Sequence, residues 1–181
     1  MFGLPGSAYA GTMLLGAALL QAQRQWAAAL PPVAQTWTLL LLAYSTLTLA
    51  AAVIVERFAR RIPAAVLVKP LLDAAIFTSI LVAPAIIFEQ LHIVPIRAAT
   101  AWAWLSAVWA VFFWRMPERG WFAMLQIASL AALGTLVHDS ITRQLWYAEA
   151  WSYPALFDPR ALQLFGFAAI GYRAAWLTLR R

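Results

Sequence analysis

Polar and apolar positions along this chain neither alternate nor sort onto one helix face; they come in blocks. Apolar runs at 8–22, 37–55, 66–88, 96–114, 121–137 and 162–179 are separated by stretches that hold most of the charged residues and prolines. A helix needs roughly 20 residues to cross the hydrocarbon core of a bilayer, and the longer runs reach that length. The pattern predicts an all-α, polytopic transmembrane helical bundle of about six spans. The first run is rich in Gly and Ala, so five spans plus a short N-terminal segment is the alternative. No Lys or Arg precedes that run, which argues against a secretory signal peptide.

Local residues set the expected boundaries. The run at 37–55 follows the helix-stopping pair Pro31-Pro32, opens on Trp37 and closes on Glu56-Arg57 and Arg60-Arg61. In the run at 66–88, Pro70 falls in the first turns and Pro84 is expected to kink the far end. The stretch 138–160 carries Trp146, Tyr147, Trp151 and Tyr153, a spacing that predicts a segment lying at the membrane surface. Little chain remains outside the runs, so residues 1–181 are read as a single integral membrane domain without a soluble catalytic part.

Composition sharpens this picture. Of 181 residues, 64% are hydrophobic and 11% charged, whereas a soluble domain is about 45–50% apolar and about 25% charged. A water-facing surface cannot be built from such a chain. The net charge of +6 would suggest nucleic acid in a soluble protein. Here the arginines cluster at the ends of apolar runs, so the expected partner is the lipid bilayer and no nucleic acid is expected. Cysteine is absent, which excludes disulfides, thiolate metal sites and Cys nucleophiles. Among the ten tryptophans, Trp26, Trp37, Trp102, Trp104, Trp114, Trp121, Trp146 and Trp151 sit near expected helix ends, as an aromatic belt requires. Trp109 is the exception at mid-depth.

Arginine also predicts orientation. Arg57, Arg60, Arg61, Arg115, Arg119, Arg180 and Arg181 fall on one side of the predicted bundle, and the smaller set of Arg24, Arg97, Arg143 and Arg160 on the other. The larger set belongs in the cytoplasm, so a bacterial-type inner (plasma) membrane protein with a cytoplasmic C-terminus is expected.

Candidate chemistry is sparse. Lys69 and Asp73 are spaced i, i+4 on one helix face, and Arg173 lies at similar expected depth. Ionisable groups at membrane depth are costly and tend to pair or face a cavity. Asp73 is therefore expected to meet Lys69, Arg173 or both. The cluster reads as a proton, ion or headgroup site; the plainer reading is a structural ion pair, with Lys69 and Arg173 otherwise snorkelling to the interface, since both are within reach of the headgroups. A second set gathers on the other side, where Glu89 and His92 form an E-x-x-H pair and His138-Asp139 follows the fifth run. Imidazole and carboxylate suit a divalent metal, and two His also suit haem or a chlorophyll-type pigment. A di-iron site of the bundle type needs two E-x-x-H motifs, and the chain has one. Polar residues closing helix ends are the plainer reading of this set, and no cofactor is identified.

No G-x-S-x-G, H-E-x-x-H or P-loop motif occurs. His138, Asp139 and Ser140 are adjacent on one turn and cannot face one another as a catalytic triad must. Ser7-x-x-x-Gly11, Ala128-x-x-x-Ala132 and Gly171-x-x-x-Ala175 are candidate faces for close helix packing.

Pro31-Pro32 with Trp37, and later Trp104-x-x-x-x-Trp109-x-x-Phe112-Phe113 followed by Pro117, resemble the tryptophan-rich sensory protein family. The resemblance implies a five-helix bundle that binds porphyrins and related ligands. It covers under a quarter of the chain, and the run at 66–88 separates its two parts. In size alone, about six short spans also resemble the substrate-binding subunits of energy-coupling-factor vitamin transporters.

These features favour a non-catalytic accessory or scaffold subunit of a larger membrane complex, associated with other membrane subunits or with copies of itself. One alternative is a small-solute or ion transporter or binding subunit using Lys69, Asp73 and Arg173. Another is a cofactor- or metal-binding redox subunit at His92 and His138.

The orientation is open to a direct test. A fluorescent reporter that matures only in the cytoplasm, fused after Arg181, is expected to light up, and a periplasm-dependent phosphatase at the same place to stay inactive. The reverse pair of results would invert the topology.

Overall fold

The computed structural model describes residues 4–26, 37–58, 64–90, 95–142 and 159–179. Pro31-Pro32, His92 and the aromatic stretch from Trp146 to Tyr153 lie outside the described residues. Among the described residues the chain is all-helical, with no strand: α1 (Leu4–Trp26), α2 (Trp37–Phe58), α3 (Ala64–Gln90), α4 (Pro95–Arg115), α5 (Arg119–Thr142) and α6 (Pro159–Leu179). Each helix covers one of the six apolar runs. Three are long and apolar enough to cross a membrane, over Trp37–Phe58, Val66–Phe88 and Arg119–Ser140. The other three are more dilute: α1 in Gly and Gln, α4 in tryptophans and Arg97, α6 in Arg160, Gln163 and Arg173.

The helices group into two compact units, Met1–Leu91 and His92–Arg181. In the first, α2 and α3 form the main pair. Leu42, Leu49, Val82 and Ile86 fill it, and Ser45, Ala52, Ala75 and Ser79 are fully buried among them. Small side chains at the contact let the two backbones approach, and the Ser45 hydroxyl donates directly across the pair to the Ala75 carbonyl at 3.1 Å. Other hydroxyls of this pair bond back to their own helix. Thr48 donates to the Tyr44 carbonyl at 2.8 Å, Thr78 to that of Ala74 at 2.7 Å and Ser79 to that of Ile76 at 2.8 Å. Pro70 and Pro84 both lie inside α3. Each lacks an N–H, so the helix forgoes two of its own backbone bonds there.

In the second unit, α4 and α5 are joined by a tight connection at 116–118. The Met116 amide donates to the Phe112 carbonyl at 2.8 Å and that of Glu118 to Met116 at 2.6 Å. Pro117 follows the last turn of α4, a place suited to a residue that cannot continue a helix. Ala98, Trp102, Leu105, Trp109 and Phe112 recur at alternating spacings of four and three, and all are buried. The spacing puts them on one stripe, against which Phe122, Ala128 and Ala132 are buried on α5. Trp102 is thus a core residue of this unit rather than a member of an interfacial belt. Trp37 and Trp114 are exposed.

An aromatic cluster closes one end of the second unit. Phe112 packs on Trp121 with ring centroids 5.0 Å apart, Phe113 on Phe122 at 5.2 Å, and Phe122 on Trp176 at 4.9 Å. It reaches from the α4–α5 pair to α6, which also rests on Val137 and Leu133 through Ala161 and Phe165. The Ser129 and Tyr172 hydroxyls are hydrogen-bonded to each other.

Phe112 is completely buried at the root of that cluster. Phe112→Ala is expected to cost about 3–5 kcal/mol, read as a large drop in the thermal midpoint in detergent. Phe167→Ala, at a position 72% exposed on α6, should change stability by under about 0.5 kcal/mol. Equal effects would mean that the aromatic cluster does not hold the unit together.

Candidate functional site

The first unit contains a seam of hydroxyl side chains that leads to a carboxylate. Tyr9 on α1 donates its hydroxyl to Asp73 Oδ2 on α3 at 2.6 Å. One turn along α1, Thr12 donates to the Tyr9 carbonyl at 2.8 Å, and Tyr44 of α2 donates to the Thr12 carbonyl at 2.5 Å. Tyrosines from two different helices therefore clamp α1, one reaching out from it and one reaching in. Among the described side chains of α1 Thr12 is the one buried, while Met13 and Leu14 are 75% and 69% exposed, so apolar burial there contributes little.

Asp73 is exposed and Tyr9 half-buried, so the carboxylate sits at the edge of the unit. An ionised carboxylate accepts more than one donor. With a phenol already on Oδ2, the carboxylate keeps acceptor capacity for a further donor. Lys69, one turn earlier on the same face of α3, is also exposed. Arg173 is exposed on α6 and belongs to the second unit.

Tyr9 is the partner of Asp73 that sequence reasoning passed over, having looked only for a charge. The available signal was the spacing of Tyr9 and Thr12 on α1 and of Tyr44, Ser45 and Thr48 on α2. Hydroxyls at helical intervals in apolar helices mark faces that meet other helices.

The second candidate set is only partly described. His138 is exposed and Asp139 half-buried near the end of α5, while the Glu89 side chain and His92 lie outside the described residues. Among the described residues no three His, Asp or Glu side chains converge as metal ligands would. Of the three small-residue motifs, Ala128 and Ala132 are buried at a helix contact, whereas Ser7, Gly11 and Gly171 are exposed.

No protein-family model matches the chain, and neither a curated protein nor a solved structure does.

Proposed function

We propose that this protein is a non-catalytic accessory subunit of a larger membrane complex. One observation carries the reading: among the described residues the flanking helices α1 and α6 are thinly covered, and neither is among the helices apolar enough to span a membrane. Along α6, Ala161 is buried while Leu162, Leu164, Phe167, Ile170 and Leu177 are exposed, and Gln163 and Arg173 stand exposed beside them. A helix facing only lipid has no use for an exposed amide and guanidinium, whereas a helix facing another protein can have both satisfied. Extraction from the native membrane in mild detergent, followed by native mass spectrometry, should give a particle containing at least one different chain at fixed stoichiometry. A lone chain, or copies of this chain only, would overturn the reading.

The Tyr9–Asp73 hydrogen bond favours a second reading, a proton- or cation-coupled carrier. On that reading, Asp73→Asn leaves the protein folded and assembled but reduces coupled uptake in vesicles by about 10-fold or more. Wild-type coupling in Asp73→Asn would remove it.

A further inference from the structure

Two hydroxyl contacts hold α1 in the first unit, and they differ in one chemical respect. Tyr44 donates to the Thr12 carbonyl at 2.5 Å. One turn further along α1, a Cβ built on Gly16 would stand 3.6 Å from the Tyr44 ring. The ring thus lies directly on the α1 backbone, and its acceptor is a peptide carbonyl that cannot change charge. Tyr9 donates to Asp73 Oδ2 at 2.6 Å, and this acceptor can. A hydrogen bond to an ionised carboxylate is roughly twice as strong as one between neutral groups. Protonation of Asp73 therefore weakens the Tyr9 contact and leaves the Tyr44 contact as it was.

Among the described residues little else ties down this part of α1. Ala10, Gly11, Met13 and Leu14 are exposed, and the buried Thr12 hydroxyl bonds back within its own helix. The α2–α3 pair has its own fastening in Leu42, Leu49, Val82, Ile86 and the Ser45–Ala75 bond. Asp73 is exposed rather than sealed beneath α1, so taking up a proton does not require α1 to leave first.

The groups around Asp73 decide which of them titrates. From α1 the neighbour is Tyr9. On α3 it is Lys69, one turn earlier, which forms no ion pair among the described residues. On α2, Tyr44 is engaged with Thr12, and Ser45, Thr48 and Leu49 do not titrate. Glu56 and Arg57 lie eleven and twelve residues beyond Ser45, about 16 Å or more along α2. Of a carboxyl, a phenol and an ammonium, only the carboxyl takes up a proton between neutral and mildly acidic pH.

We propose that Tyr9 and Asp73 form a proton-operated latch: α1 is docked while Asp73 is ionised, and protonation of Asp73 frees the N-terminal part of α1, which turns about the retained Tyr44–Thr12 contact. The proton comes from solvent, and Tyr9 keeps its own. Docking is favoured at neutral pH and is lost as the pH falls. The latch belongs to the first unit by itself, apart from any partner chain.

Spin-label distances across the first unit test it. The chain has no cysteine, so nitroxides attached through Ala10→Cys and Ile87→Cys, both at exposed positions, report only on α1 against α3. In the detergent-extracted particle, lowering the pH from about 8 to about 4 is expected to raise the displaced fraction of α1 by about 5- to 10-fold. Asp73→Asn, a neutral acceptor at every pH, and Tyr9→Phe should each raise the displaced fraction and abolish its pH response. Tyr44→Phe should raise the fraction and keep the response. A distance distribution that does not change with pH in the otherwise unaltered chain would overturn the latch. So would a response that survives in Asp73→Asn, because another group would then be the one titrating, or a response lost in Tyr44→Phe. Circular dichroism checks that each variant is folded; if Asp73→Asn is not, Tyr9→Phe, which loses a single hydroxyl, decides on the same readout. Uptake does not enter this measurement, so the carrier reading stands or falls separately.

Discussion

Helices in an apolar medium gain little from excluding that medium, so they must hold one another by close contact and by polar groups satisfied within the protein. Both main pairs meet this constraint. Between α2 and α3 the backbones approach over Ser45, Ala52, Ala75 and Ser79, and a side chain bonds directly to the opposing backbone. In the α4–α5 pair Ala128 and Ala132 are buried on one helix, and Trp102, Trp109 and Phe112 on the other. Without residues this small at the contact, the larger apolar side chains would hold the helices apart and could not interlock.

The two units then add their third helix by different chemistry. The first holds α1 with tyrosine hydroxyls on a carboxylate and a carbonyl. The second holds α6 with stacked, tilted and edge-on rings, supported by the Ser129–Tyr172 bond. Aromatic contacts tolerate small shifts in register, whereas hydroxyl donors demand one. The first unit is thus the more exacting of the two, and it is also the one that carries Asp73.

Much of the fold was legible because the signal is coarse. Long apolar blocks between arginines and prolines, such as Trp37 to Arg57, leave only helices as solutions, and six helices stand where six blocks do. Which residues meet was less legible. Ala128 and Ala132 were recognisable as a packing pair, but Ala75 and Ser79 do the same for α2–α3 and looked unremarkable in a helix full of small residues. Trp102 looked like a belt residue because block position cannot tell a helix end facing lipid from one facing another helix. The candidate site was half legible: Asp73 stood out as a charge in an apolar run, while Tyr9, in a soft and weakly apolar segment, did not. Charge in a membrane helix is conspicuous in one dimension; the neutral donor that answers it is found only in three.

Because α1 is fastened by a few oxygen-centred contacts rather than by a broad apolar seam, its attachment depends on how dry its surroundings are. Hydrogen bonds of this kind gain strength where the dielectric is low and weaken where water competes for the same lone pairs. The α2–α3 pair, buried over Leu42, Val82 and Ile86, is shielded from that competition. Wetting of the first unit therefore acts on α1 before it acts on the hairpin, and the amides of α1 should exchange with solvent through a local opening that leaves the rest of the unit closed.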